Sequence, residues 1–189
     1  ERHPDQLTAI ADDEAWARLV AVVAASRSLT ELLVSDDAAL SVVVEAPRGP
    51  QPAPEIDGAP GWFRRELLRI AARDLAGEVP LATTTASLSA AARQVLRVVH
   101  DAAAATVLEP DEHLVVVGMG KLSGDELNYA SDVDILLVGE GDPRRLERAG
   151  RQVLELAGRC FRVDPDLRPE GRDGALVRSL DGYVTYWER

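Results

Sequence analysis

The chain has 189 residues, of which 46% are hydrophobic and 28% charged, a composition typical of a soluble globular protein. Its formal net charge of −11 argues against binding to nucleic acid or to an anionic membrane. The charge is uneven, because residues 141–189 carry ten basic and nine acidic side chains. We therefore expect any anion-binding arginines to lie in the last quarter of the chain.

Cysteine usage and hydropathy predict a cytoplasmic protein. Cys160 is the single cysteine, so an internal disulfide is excluded and a reducing compartment is favoured. No apolar run approaches the length of a membrane span, and no signal peptide is visible. The sequence starts at Glu1 without methionine and stops within an apolar-aromatic pattern near Trp187, which predicts a fragment of a longer protein.

The first 44 residues predict short helices. Asp12 or Asp13 is expected to cap the first helix, Ser28 the second and Ser35 the third. Helical spacing predicts a buried face of the first helix made of Trp16, Leu19, Val20 and Val23. Residues 46–60 hold five prolines and two glycines, which predicts a linker or mobile loop.

The remaining sequence predicts both helices and strands. Helices are expected over 61–77, ending at Gly77, and from Thr84 or Thr85 to Val107. Residues 165–178 are expected to form a polar loop or hairpin. The other predicted elements are strands at 113–118, 132–138 and Cys160 to Asp164, and helices from Asp142-Pro143 to Leu156 and from Ser179 or Leu180 to Arg189.

A glycine-rich turn, G-M-G-K-L-S-G-D-E-L-N-Y-A-S-D-V-D, joins the two central strands from Gly118 to Asp134. Lys121, the only lysine in the chain, lies among glycines that allow a backbone to approach a phosphate closely. Leu122 after the lysine excludes a Walker-type loop, and the next strand arrives too soon for a dinucleotide-binding crossover. The spacing favours a short, partly helical turn whose glycines face the acidic pair, although a tight connection without a ligand is the alternative.

The second strand opens with a D-x-D pair. Asp132 and Asp134 point to one face of the strand, where two like charges favour a divalent cation such as Mg²⁺ between them. A solvated strand end is the alternative for such a common pattern. Asp164 is available as a third acid, with Asp166 as its rival. The neighbouring arginines suit either phosphate binding or neutralisation of the aspartates, and they are Arg162, Arg168 and Arg172.

The turn closely resembles the active-site motif of the bifunctional glutamine synthetase adenylyltransferase/adenylyl-removing enzymes, G-x-G-K-x-G-G-x-E-L-x-x-x-S-D-x-D. V-D-x-x-L-R-P-x-G at Val163 to Gly171 and W-E-R at Trp187 to Arg189 are similar to family motifs. R-I-A-A-R-D-L-A-G from Arg69 to Gly77 also resembles a family helix. The resemblance covers residues 60–189, whereas residues 1–59 match only loosely.

The resemblance implies an α+β, nucleotidyltransferase-type (DNA polymerase β-like) fold with a mixed sheet, preceded by helices. It divides the chain into residues 1–59, a helical segment and linker, and residues 60–189, a C-terminally truncated catalytic domain. The implied catalytic metal ligands for Mg²⁺ are Asp132, Asp134 and Asp164. The implied phosphate and nucleotide contacts are Gly118, Gly120, Lys121, Gly124, Ser131 and Arg168. Capping of the turn is the alternative for Ser131, and a structural role is the alternative for Arg168. Glu126 and Asn128 are expected to hold the turn in shape.

E-L-N-Y, with Asn128, resembles the half of the family that removes AMP from a glutamine synthetase tyrosine by phosphorolysis, giving ADP. Adenylylation from ATP on the same fold is the alternative, and so is a catalytically silent regulatory or binding domain. Two residues depart from the family pattern: Ser123 replaces a glycine, and Asp166 replaces a frequent arginine and so removes one phosphate contact. The implied partners are adenylylated glutamine synthetase, phosphate, ADP or ATP, and a PII-type signalling protein acting through the full-length enzyme.

Overall fold

A computed structural model describes residues 10, 12–47, 49, 51–52 and 54–188. The predicted helix end at Arg189 and parts of the predicted linker lie outside these residues. The described part is α+β, as expected, and none of its helices combines the length and hydropathy needed to cross a membrane. The α-helices are α1 (Asp13–Ala25), α2 (Arg27–Ser35), α3 (Ala39–Glu45), α4 (Ala59–Leu75), α5 (Leu81–Val107), α6 (Gly120–Ser123), α7 (Pro143–Ala157) and α8 (Leu180–Trp187). The strands are β1 (His113–Gly118), β2 (Val133–Glu140), β3 (Val163–Asp164) and β4 (Val177–Arg178), and two 3₁₀ turns cover Ile56–Gly58 and Gly171–Asp173.

The caps of the first three helices match the prediction only at α1. Asp12 accepts the N–H of Glu14 and caps α1. Ser26, and not Ser28, caps α2. The backbone of Ser26 is extended, so α1 ends before this residue and α2 begins after it. The Ser35 prediction was also wrong, since α3 begins at Ala39 without a side-chain cap.

The predicted buried face of α1 was wrong except for Leu19. Trp16, Val20 and Val23 are exposed, while the buried side chains are Ala15, Arg18, Leu19 and Val22. Arg18 turns inward because its Nε and Nη2 donate to the carbonyls of Val43 and Val44, at 2.9 and 2.7 Å. Hydrophobic spacing could not show these tertiary partners of a charged side chain.

The two long central helices begin earlier than predicted. α4 starts at Ala59 and ends with Gly77 in a left-handed conformation at φ +72°. The N–H groups of Gly77 and Glu78 donate to the carbonyls of Asp74 and Arg73, the pattern of a glycine-terminated helix. α5 starts at Leu81 instead of Thr84 or Thr85, because the chain turns into the helix directly after Pro80. The predicted ends of both helices were right to within about a turn.

The sheet is mixed, with β2 in its centre. β1 pairs with β2 in antiparallel register, and β3 and β4 pair in parallel with the first and second halves of β2. β1 has the predicted bounds, and β2 begins one residue later and ends two residues later than predicted. The predicted third strand was too long, because Cys160 and Phe161 donate their N–H groups to Ala157 and close α7 before β3 begins.

Helices cover one face of the sheet. α5 and α7 pack on each other and on the sheet, and α4 packs on α5. Val115 and Val117, which point to the opposite face, are 54% and 37% exposed, so that face is open to solvent at β1. Strand alternation places Asp134 on the face opposite the buried Val133 and Ile135, which belong to the core.

The apolar core has two clusters that share α4. Its Trp62, Phe63 and Ile70 belong to the cluster formed with α5, α7 and the sheet, whereas Leu68 and Ala72 belong to the cluster formed with α1–α3. Trp62 is buried in this core, whereas Trp16 and Trp187 are exposed. The predicted division between residues 59 and 60 falls where α4 begins and stays a prediction.

Candidate active site

The glycine turn brings its backbone against Asp134, the second acid of the D-x-D pair. The N–H of Met119 donates to the carbonyl of Asp134 at 2.8 Å, and the chain then makes one helical turn, α6. Gly120 has a φ of +51°, and a Cβ at this position would collide with Asp134 Oδ2. Both facts favour glycine. The predicted short helical turn is confirmed, and Gly120 faces Asp134 of the acidic pair, whereas Gly118 packs beside Leu122.

The backbone register brings two of the predicted carboxylates together. Asp134 and Asp164 are direct partners across the parallel pairing of β2 with β3. Asp132 lies just before β2, and its carboxylate forms an ion pair with the guanidinium of Arg162. Asp164 Oδ1 accepts the N–H of Asp166 at 2.8 Å. Asp134 and Asp164 therefore lie on adjoining strands, whereas Asp132 precedes β2 and is directed to an arginine.

The rival third acid, Asp166, is engaged elsewhere. Its two oxygens bind Arg172 Nε at 2.6 Å and Arg168 Nη1 at 3.1 Å. The hydrogen bond from Arg172, followed by the charges of both arginines, lowers the pKa of this carboxyl. The geometry thus favours Asp164 over Asp166 as the acid beside Asp134. Within the described residues, no group of three or more acidic, histidine or cysteine side chains is arranged to hold a metal ion, so the three-carboxylate site stays a prediction.

The polar residues before Asp132 hold the turn in shape. Asn128 Oδ1 accepts the N–H of Ala130 at 3.0 Å, and the Asn128 N–H donates to Ser131 Oγ at 3.1 Å. The expectation that Asn128 shapes the turn is confirmed. Lys121 is exposed, with its Nζ 3.5 Å from Ser131 Oγ. The phosphate contacts predicted for Lys121 and Ser131 stay predictions.

Comparison with known proteins decides the family. The family model of glutamate-ammonia ligase adenylyltransferase matches residues 54–155 and 145–189, which together cover most of the chain. The chain belongs to this family. The D-x-D pair, the glycine turn and the R-D-L-A-G end of α4 all lie in the matched part.

Individual adenylyltransferase relatives agree. Each of three carries the name bifunctional glutamine synthetase adenylyltransferase/adenylyl-removing enzyme. The relative from Corynebacterium diphtheriae is 41% identical over 143 residues, or 67% of this chain, and that from Streptomyces coelicolor is 40% identical over 146 residues, again 67%. The relative from Mycolicibacterium smegmatis is 38% identical over 198 residues, or 95% of this chain. The chain spans only 14%, 15% and 19% of the length of these relatives.

Arg168 stabilises the loop that follows β3. Its side chain is largely buried and donates to the carbonyls of Pro165, Gly174 and Arg172 at 2.9 to 3.3 Å, besides its bond to Asp166. The resemblance left Arg168 as either a second-tier phosphate contact or a structural residue. Its observed partners give it a structural role in the loop after β3.

Three residues of α4 and α5 bind the glycine turn, and the sequence did not identify them as site residues. Arg93 Nη1 donates to the Leu122 carbonyl at 3.1 Å, and Ser89 Oγ accepts the N–H of Leu127 at 3.2 Å. Asp74 accepts the hydroxyl of Tyr129 at 3.0 Å. Ser89 and Arg93 carry no sequence signal that separates them from other polar residues of α5. Asp74 had one, because it lies in the R-D-L-A-G segment that resembles the family.

Proposed function

We propose that this domain removes AMP from an adenylylated tyrosine of glutamine synthetase by phosphorolysis, on a nucleotidyltransferase-type fold like that of DNA polymerase β. The observation that carries the proposal is the pairing of Asp134 with Asp164 directly beside the Gly120 backbone. Carboxylates on adjoining strands, opposite a glycine turn, suit phosphoryl chemistry. The relatives' printed name, which includes adenylyl removal, supports the same assignment.

The donor atoms fit Mg²⁺. Asp134 and Asp164 offer hard oxygen ligands on neighbouring strands, and Mg²⁺ is commonly held by one or two carboxylates together with substrate phosphates. Asp132 can join them if its ion pair with Arg162 is exchanged. Because the Arg162 side chain is 80% exposed, breaking that pair is expected to cost no more than about 1 kcal/mol. When bound, Mg²⁺ would neutralise charge that develops on the phosphoryl oxygens.

The side chains of this domain orient the reactants. In the proposed step an oxygen of hydrogen phosphate attacks the phosphorus of adenylyl-tyrosine, and the bond from phosphorus to the tyrosine oxygen breaks. The proton of hydrogen phosphate passes to the tyrosine oxygen, so the products are ADP and free tyrosine. The exposed cations Lys121, Arg162 and Arg172 lie around the acids and are suited to attracting the incoming phosphate.

Asn128 supports removal of AMP over its transfer. The adenylylating half of the family usually has E-L-G-Y, where a glycine has no side chain to accept a hydrogen bond. In this chain Asn128 Oδ1 accepts the Ala130 N–H and shapes the turn that leads into Asp132. We therefore assign the turn to the adenylyl-removing half. The proposal includes glutamine synthetase as the macromolecular partner, a PII-type protein acting through the full-length enzyme, and a cytoplasmic location.

The proposal is tested by incubating the chain with adenylylated glutamine synthetase, Mg²⁺ and phosphate. We expect release of ADP, and a loss of at least about 100-fold in Asp134→Asn, the size of effect seen when an electrostatic catalytic group is removed. Asp111→Asn, at an exposed carboxylate in the turn before β1, is the matched control and is expected to keep full activity. ATP-dependent transfer of AMP without phosphorolysis would contradict the proposal, and no activity of either kind would favour a silent domain.

A further inference from the structure

The end of α4 carries a carboxylate that the proposed reaction does not use. Asp74 lies in the last turn of α4, and its two oxygens accept hydrogen bonds from two other elements. Thr84 Oγ1, in the first turn of α5, donates to Oδ1 at 2.9 Å. The Tyr129 hydroxyl donates to Oδ2 at 3.0 Å. Asp74 therefore joins α4 and α5 to the loop that leads into Asp132.

This loop comprises residues 124–131, and its two halves, 124–127 and 128–131, are held differently. In its first half the side chain of Leu127 is buried and its N–H is bound by Ser89. In its second half, Asn128 and Ser131 bond mainly to each other. Within the described part of the chain, the Tyr129 hydroxyl makes the one hydrogen bond from residues 128–131 to α4 or α5. The position of the second half thus depends on Tyr129.

The Tyr129 ring is weakly held by packing. It is 50% exposed, and it borders a cavity of about 300 Å³ together with Leu29 of α2 and Leu67 and Ala71 of α4. Space on one side of a ring means fewer van der Waals contacts to fix it. Partial burial, together with the neighbouring Asp74 carboxylate, raises the pKa of Tyr129. A tyrosine is protonated at neutral pH in any case, so its hydroxyl is a donor there.

We propose that Asp74 and Tyr129 are positioning residues whose hydrogen bond fixes residues 128–131 and, through them, the carboxylates of Asp132 and Asp134. The kinetic consequences of this inference rest on the proposed function, whereas its structural consequences do not. Asp74 and Tyr129 act through the loop and not on the reacting atoms. Loss of the bond is therefore expected to make the loop more mobile and to raise the Mg²⁺ concentration needed for activity.

Tyr129→Phe tests the inference, because it removes only the hydroxyl. A single hydrogen bond predicts a five- to tenfold change, roughly, in the population of the open loop. We expect amide hydrogen exchange in residues 128–132 to accelerate by about that factor, kcat for ADP release to fall by a similar factor, and half-maximal activity to need more Mg²⁺. Tyr186→Phe is the matched control, because Tyr186 lies on α8 and its hydroxyl makes no hydrogen bond among the described residues. All three measurements are expected to stay at their wild-type values in the control.

Two further variants distinguish the two hydrogen bonds that Asp74 accepts. Thr84→Val removes the bond from Thr84 to Asp74 and is expected to leave amide exchange in residues 128–132 unchanged. Asp74→Asn combined with Tyr129→Phe is expected to be no worse than the more damaging single variant, because both weaken the same contact.

Unchanged exchange in Tyr129→Phe would overturn the inference. So would a fall in kcat with wild-type exchange and Mg²⁺ dependence, because the hydroxyl would then act in the chemistry itself. If the wild-type chain releases no ADP, the proposed function fails, and the comparison of exchange rates alone decides the positioning role.

Discussion

Gly120 is the position where one added methyl group tests the candidate site most directly. Its backbone is left-handed, at φ +51°, and an alanine Cβ would collide with Asp134 Oδ2. Gly77 offers a matched control on the same chain. It is also left-handed, at φ +72°, but a Cβ there would meet no atom within 4 Å.

The two alanine variants are expected to lose similar stability but different activity. A left-handed alanine costs about 1–2 kcal/mol in either place. For a chain of this size that corresponds to a fall in Tm of about 2–8 °C. Gly120→Ala must also displace the Asp134 carboxylate or the turn itself, and a displacement of about 1 Å in a catalytic group can lower the rate by about 100-fold.

Thermal unfolding and ADP release from adenylylated glutamine synthetase measure the two effects separately. We expect both variants to melt earlier, and only Gly120→Ala to lose most of its phosphorolysis rate. If Gly120→Ala keeps its rate despite a lower Tm, the close approach to Asp134 has no catalytic meaning. An equal loss of rate in Gly77→Ala would also contradict a special role of Gly120.

Two further predictions concern stability. Glu66→Ala leaves the buried Arg69 without its carboxylate partner, and we expect the free energy of unfolding in urea to fall by about 3–5 kcal/mol. The matched Glu31→Ala, in an exposed helical ion pair, is expected to change the free energy of unfolding by no more than about 0.5 kcal/mol. Equal losses in the two variants would show that burial of the ion pair does not determine its contribution to stability. Hydrogen bonds from Arg145 and from two backbone N–H groups lower the pKa of Glu112 from 4.5 to about 2. This carboxylate stabilises the fold above about pH 4.5 and loses that effect as the pH falls towards 2, so Glu112→Gln is expected to flatten the dependence of Tm on pH in this window, and parallel curves would contradict the assignment.

The elements that the sequence predicted well are those whose signals are local. β1 and β2 are continuous apolar runs, and α7 begins at Asp142-Pro143 with a capping side chain and a proline in its first turn. β3 and β4 have two residues each, too few to show any periodicity. Their existence depends on pairing with β2, which only the folded chain provides.

In the candidate site, too, the sequence predicts local features but not contacts between distant residues. The acidic pair and Gly120 follow from spacing along one segment, so the sequence could place them. The ion pair between Asp132 and Arg162 joins residues 30 positions apart, and the bond between Asp74 and Tyr129 spans 55 positions. No pattern within a single segment reports such contacts. The inward turn of Arg18 towards the α3 carbonyls was missed for the same reason.

The sharing of α4 by both core clusters has a consequence for how the protein is shortened. A version limited to residues 60–189 would retain α4 but lose α1–α3, which cover Leu68 and Ala72. The uncovered side of α4 would then present apolar side chains to solvent and promote self-association. Because α4 also packs on α5, such a version would be weakened close to the candidate site. For expression, the N-terminal boundary of the folded unit therefore belongs before Asp12, and the intact unit is expected to melt in one cooperative transition.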